Sequence, residues 1–423
     1  MTRPSRAWRS VAVLGVAGVL LAACGGGDKG GNTSGDSTKT EAAAKKGDGE
    51  LVIGTLLPQT GNLAFLGPPE FAGVQLAIND INAAGGVNGK QVRKVDSDSG
   101  DASTDIASQS VDRLMSQKVD AIVGAASSGV SFTVIDKITG NGILQISPAN
   151  TSPDFTNYDD KGLYFRTAPS DVLQGRVNGD LVVSDGYLNV GILALDDPYG
   201  TGLADNVEKA VKDGGGNVVE KSIYDPKAAN FSAEVSKMKA ANPEAIVLIG
   251  FDETKKIVPE LIAQGIGPNK VPLYLVDGNL ADYSKDFKPG TMKGTKGTLP
   301  GAQSDQGFKK RLLEVDPKLT DYSYAPESYD ATILIALAAT AAKDDSGASI
   351  ASKMVEVSKG GDKCTEYADC LKLLKEGKDI DYDGKSGPVE FSDKGDPTEA
   401  TIGIYQYGDD NKYTNVDFKS GKI

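Results

Sequence analysis

Short apolar runs alternate with stretches of helical periodicity along nearly the whole body of this chain, and only a few residues connect one to the next. Residues 51–58 (LVIGTLLP) read as a strand entering a Thr-Gly-Asn loop. Residues 69–82 then carry Phe71, Val74, Ile78 and Ile81 at helical spacing before Gly85-Gly86 stops them. Strand patterns at 91–96, 120–123 and 143–147 alternate with helical patterns at 104–117 and from about Ser128 to 139. After 163–166 (LYFR) the alternation restarts, with strands expected at 189–195, 218–224, 245–249 and 273–276 and helices at 172–185, 203–213, 231–241 and 253–264. Alternation of this kind builds a parallel sheet covered by helices on both faces, and here it does so twice. The fold class is therefore α/β, with two doubly wound parallel-sheet lobes.

The remainder does not make a third domain. A long apolar helix at 325–342 and another at 349–358 need a sheet face to cover, and DGKSGPVEFSDKGDP leads to a strand at 400–407. The simplest packing gives 50–168 plus 300–398 to lobe 1 and 169–299 plus 399–423 to lobe 2. The chain then crosses about three times, which makes a hinge.

Within lobe 1 the run IVGAASSGVS (122–131) takes a strand directly into a helix start. Ligands of open α/β sheets lie beyond the carboxyl ends of the strands, and the free N–H groups of a helix start favour an anion. Ser127 and Ser128 add hydroxyl groups at that spot. The plainer alternative is that Ser128 only caps its helix.

The amino-terminal segment has a different character. Arg3, Arg6 and Arg9 precede an apolar run from Val11 to Leu21 that closes on Leu-Ala-Ala-Cys24. This order reads as a signal peptide over 1–23, too short for a permanent membrane span. Leu-Ala-Ala-Cys resembles a bacterial lipobox, in which Cys24 is acylated and anchors the mature chain. Residues 24–49 then form a flexible linker: 25–49 contain no large apolar residue, and a coil of that length reaches on the order of 30 Å.

Composition narrows the function further. The formal charge is −13, and losing a signal that holds three Arg and no acid brings it to −16, which argues against nucleic acid or anionic lipid as a partner. The chain has no His, so His-dependent triads and His-ligated zinc are excluded. Neither a G-x-S-x-G elbow nor a P-loop is present. Cys364 and Cys370 remain as a pair that in an exported protein forms a disulfide. Six residues of continuous helix would span about 9 Å, more than the roughly 4.4–6.8 Å a bridge allows, so CTEYADC must turn.

The segment IGTLLPQTGNLAFLGPPEFAGVQLAINDINAAGGVNGKQV resembles the opening of the leucine/isoleucine/valine-type solute receptors of ABC importers, which have the type I periplasmic-binding-protein fold. The likeness continues through VGAASSGVS, ILQISPANTSP, LYFRTAPSD, LDDPYGTG, VDGN and SGPVEFSDKGDPTEATIGIYQY. It implies a two-lobed receptor that closes on an amino acid. Ser128 falls where the family holds the α-carboxylate, with Ser127 beside it. Ala149 and Thr151 fall where a backbone group and a hydroxyl meet the head group. Tyr199 matches an aromatic that covers the ligand, and Asp277 matches the acid that pairs with the α-ammonium.

The sequence also departs from the family. Leu66, with Phe65 beside it, stands where a pocket aromatic is usual, and Phe251 replaces a Tyr. Asp277 is one methylene shorter than the usual Glu, and Ser127 occupies a position of a disulfide found in some relatives. Head-group recognition is therefore retained, and the side-chain preference is left open. The expected protein is a lipid-anchored, extracytoplasmic, monomeric receptor for an aliphatic amino acid. It would deliver its ligand to an ABC permease driven by ATPase subunits, with neither enzymatic activity nor a cofactor. A surface lipoprotein that senses a ligand, or a receptor for a small amide, urea or carboxylate, would use the same cleft.

Overall fold

The computed structural model describes residues 46–303 and 305–423. The signal segment and Cys24 lie outside the described residues.

The chain opens with β1 (Val52–Leu57), α1 (Gly67–Ala83), β2 (Arg93–Asp98), α2 (Ile106–Ser116), β3 (Ala121–Gly124), α3 (Ser128–Gly140), β4 (Leu144–Ser147) and β5 (Tyr164–Arg166). Its five strands form one parallel sheet in the order β2-β1-β3-β4-β5. Successive residues of β1 serve opposite faces. Ile53 and Leu57 join the core beneath α1, while Val52 and Leu56 join the core beneath α2 and α3. That two-sided burial is why the strand reads as a continuous apolar run rather than an alternation.

The second sheet draws on α4 (Asp171–Ser184), β6 (Asn189–Leu195), α5 (Pro198–Asp213), β7 (Asn217–Tyr224), α6 (Ser232–Ala241), β8 (Ala245–Ile249), α7 (Thr254–Ala263), β9 (Leu273–Leu275) and β10 (Lys296–Pro300). The chain then returns to the first sheet through α8 (Gln306–Val315), α9 (Ala325–Ala342), α10 (Gly347–Val357), β11 (Asp362–Cys364), α11 (Tyr367–Lys375) and β12 (Ile380–Tyr382). It ends in β13 (Glu399–Tyr407) and β14 (Tyr413–Lys422), which complete a seven-stranded sheet ordered β14-β13-β10-β9-β8-β6-β7. Helix α9 is buried from Ala325 through Ala339 because α1, α10 and α11 enclose it, and this accounts for its apolar character on every side.

Three connections pass between the sheets: 167–170 after β5, the stretch that follows β10 from Gly301, and the segment before β13. Buried Arg166 joins the first to the third by donating its Nε–H to Asp396 at 2.6 Å. The same guanidinium donates to the carbonyl of Ser152 at 2.7 Å and so fixes the loop after β4.

Several features differ from the sequence reading. Helix α8, strand β10 and strand β14 have no counterpart in the expected elements, each being short or largely polar. The linker expected over 24–49 is held at its far end, where the Gly47 N–H donates to the Asp344 carboxylate. Ser127, not Ser128, caps α3, accepting from the Val130 N–H at 3.3 Å. Cys364 and Cys370 are disulfide-bonded with Cα atoms 5.4 Å apart, and the chain turns between them from β11 into α11.

Candidate ligand-binding site

In each sheet the strand order reverses once, between β1 and β3 and between β6 and β8. Crevices open at such switch points, beyond the carboxyl ends of the strands. The two switch points face one chamber. Leu63 and Leu66 line it from the turn after β1, Ala126, Ser127 and Ser128 from the start of α3, and Ala149 from the loop after β4. From the other sheet come Tyr199 after β6, Phe251 after β8, and Asp277 with Gly278 after β9; Tyr324, just before α9, completes the wall. Thr151 is buried but does not line the chamber; its carbonyl accepts the Asp171 N–H at 2.7 Å.

Asp277 is the only acid of the lining, which contains no Lys or Arg. Its Oδ1 accepts from Tyr199 Oη at 2.8 Å and Gln174 Nε2 at 2.9 Å, and its Oδ2 accepts from Tyr324 Oη at 2.6 Å. Burial raises the pKa of this carboxyl, and the three neutral donors oppose the rise. Burial and the Asp277 charge in turn hold the hydroxyls of Tyr199 and Tyr324 well above their ordinary pKa, so both remain donors.

Gly278 follows in a short 3-10 turn, where a Cβ would lie 2.7 Å from the Gly250 carbonyl and 2.8 Å from the Phe251 ring. Only glycine lets these loops approach so closely. The Phe251 ring stacks on Tyr199 at 5.4 Å and 8°.

The opposite wall has a different chemistry. Ser127 and Ser128 begin α3, where N–H groups without helical partners attract negative charge. The Ser128 hydroxyl accepts from the Ser152 N–H at 3.3 Å. Leu63, Leu66, Ala126, Ala149 and Phe251 supply apolar surface between the two poles. The arrangement offers donors for an anion at one end, a carboxylate for a cation at the other, and apolar walls between them.

Sequence reasoning missed Tyr324, Gln174, Leu63 and Ala126, and also Asp171. Asp171 opens α4 one turn before Gln174; it is fully buried and its carboxyl oxygens have no hydrogen-bond partner. Burial, and then the charge of Asp277, push its pKa well above the usual range. Asp171 stands in the RTAPSD run, the one available signal. Among the described residues no cluster of His, Cys, Asp and Glu could hold a metal ion.

The chamber is tight, about 10 Å³, roughly the space of one water-sized sphere. Past Leu63, Ser127 and Phe251 it adjoins an outer cavity of about 340 Å³ whose lining includes Asp101, Asp197, Asp225 and Lys227.

The pattern of the periplasmic binding protein family matches residues 50–410. The chain belongs to that family. This periplasmic binding protein is 27% identical over 380 residues to the Leu/Ile/Val-binding protein homolog 2 of Brucella abortus (strain 2308), covering 86% of this chain and 92% of the relative. Its fold is similar to that of the branched-chain amino acid transporter substrate-binding protein of Streptococcus pneumoniae, solved with isoleucine. The TM-score is 0.70 at 23% identity, covering 88% of this chain and 100% of the other. A solute-binding protein from R. palustris solved with benzoate gives a TM-score of 0.68 at 19% identity, covering 88% and 97%. The binding protein is thus an α/β receptor of two lobes.

Proposed function

We propose that this binding protein is the extracytoplasmic substrate-binding component of an ABC importer, capturing an α-amino acid with an aliphatic side chain and delivering it to the permease. One observation carries the reading. A buried carboxylate and a helix N-terminus face a single chamber with apolar walls between them, a complement to a zwitterion bearing an apolar side chain. In this reading Ser127 and Ser128 meet the α-carboxylate with Ala149 and Thr151 close by, Asp277 meets the α-ammonium, and Tyr199, Phe251 and Leu66 cover the side chain. The name of the Brucella relative supports the same ligand class.

The lobes are proposed as 50–168 plus 300–398 and 169–299 plus 399–423. The chain is held to the outer face of the cytoplasmic membrane through acylated Cys24 and acts as a monomer without catalysis.

A thermal-shift series on residues 46–423 with the common amino acids, benzoate and acetamide tests the ligand class. A ligand at 100 times its Kd stabilises by about 2.7 kcal/mol. Leucine, isoleucine or valine should shift the transition strongly and benzoate should not, because benzoate carries no cation for Asp277. A response to benzoate without a response to any amino acid would overturn the proposal.

A further inference from the structure

Behind the chamber, on the far side of Tyr324, lies a second cavity of about 370 Å³. It sits at the hinge, between the second connection, the approach to α9 and strands β13 and β14. Glu327, in the first turn of α9, reaches it. This residue is only 2% exposed; its carboxyl accepts from its own backbone N–H, and among the described residues it has no ion-pair partner. Gly301 stands opposite, with φ +114°, where a Cβ would come 2.7 Å from Glu327 Oε1. The absence of a side chain there keeps room beside the carboxyl. Tyr322, Tyr324, Tyr405, Tyr413 and Phe418 supply aromatic walls, and Tyr405 packs edge-on against Tyr413 at 5.5 Å.

We propose that this hinge cavity is a second binding site, for a small organic cation held by the Glu327 carboxylate within the aromatic walls. A buried carboxyl without a counter-charge is completed by a positive charge, and the electron-rich faces of aromatic rings attract cations. The wall already accepts an ammonium: Lys309 Nζ lies over the Tyr322 ring, 5.3 Å from its centroid.

The other charged groups of the lining, Asp282, Asp321, Lys309 and Lys412, are already engaged within the wall. Asp282 pairs with Lys412 at 3.1 Å, and Asp321 accepts from Tyr413 Oη and the Ser323 N–H, both at 2.7 Å. Asp330, further along α9, accepts from Tyr382 and Ser386. Glu70 of α1 is buried close enough for the Glu327 charge to raise its pKa, but it does not line the cavity. Burial lifts the Glu327 pKa to about 8, so at pH 7 it is mostly protonated. Binding a cation therefore ionises Glu327 and sends its proton to the buffer. The site does not depend on the amino-acid reading of the front chamber.

Calorimetric titration of residues 46–423 with propylammonium and tetramethylammonium at pH 7, in buffers of different ionisation enthalpy, tests the inference. The wild type should bind one of these cations with buffer-dependent heat, showing proton release. Glu327→Gln should weaken that binding tenfold or more and abolish the buffer dependence, while Lys209→Ala, on the exposed face of α5, should leave both unchanged. The inference is overturned if the wild type binds neither cation, or if Glu327→Gln binds as tightly as wild type, which would place the cation elsewhere.

Discussion

Asp277 and Glu327 are both buried acids, but they differ in their partners. Asp277 has three neutral donors and stands in the chamber wall, so a ligand ammonium adds the one charge its surroundings lack. Removing one member of a desolvated charge pair costs about 2–5 kcal/mol, roughly a thirtyfold to several-thousandfold loss of affinity. Asp277→Asn should therefore weaken an amino acid severely in calorimetry while leaving the fold intact, and unchanged affinity would remove Asp277 from its proposed role. Glu327 is one of the buried acids that make stability depend on pH. Its folded pKa of about 8 exceeds the ordinary 4.5, so the folded state holds its proton longer than the unfolded state. Its contribution is fully present below about pH 4.5 and is lost as pH rises towards 8. Urea unfolding should show Glu327→Gln gaining on the wild type across that range, by up to roughly 4 kcal/mol at pH 8.5. A difference that does not change with pH would refute this.

At the scale of elements, the loop after β4 and the third connection are tied through Arg166 and by Thr156 Oγ1, which donates to Asp396 at 2.6 Å. Arg166 is unexposed, and its guanidinium reaches Asp396, Ser152 and Thr156. Asp396→Asn leaves that cation buried without its counter-charge, which typically costs about 3–5 kcal/mol. The same change should loosen the loop holding Ala149 and Thr151, so denaturant unfolding and ligand affinity should fall together. The exposed pair Lys209–Asp213 makes the contrast, since breaking it should change stability by less than about 0.5 kcal/mol. Equal effects from the two substitutions would show that the Arg166 tie is not structural.

At the scale of the molecule, a chamber of about 10 Å³ with loops from both sheets in its wall admits an amino acid only if the lobes part. Three connections allow such a rigid-body motion, and contacts made by both lobes at once would favour the closed form. No helix among the described residues is long and apolar enough to cross a membrane. Anchoring is proposed to rest on Cys24 because that residue closes the Leu-Ala-Ala-Cys motif. In fractionated cells Cys24→Ala should move the protein from the membrane to the medium or the soluble extracytoplasmic fraction, and continued membrane association would contradict the lipid anchor.

The sequence alone determined the alternation of strand and helix, because strands buried on both faces must be continuously apolar and the helices covering them must repeat every 3.6 residues. The strand-to-helix break pointed to Ser127, while Tyr199, Phe251 and Asp277 came from the family resemblance and agree with the crevice rule, since each follows a recognisable strand. Strand β14 was not legible, because as an exposed edge strand it carries mostly polar residues and its pairing partner β13 alone defines it. Helix α8 escaped for a similar reason, burying only Phe308 and Leu312. The convergence of Gln174, Tyr199 and Tyr324 on Asp277 spans separations of 103, 78 and 47 residues, and no local pattern encodes it. Tyr324 adopts φ +59° before α9, a conformation the surrounding packing imposes rather than its own preference. Local periodicity fixes what each segment becomes, whereas which side chains share one carboxylate is decided only when the two sheets and the hinge bring distant loops together.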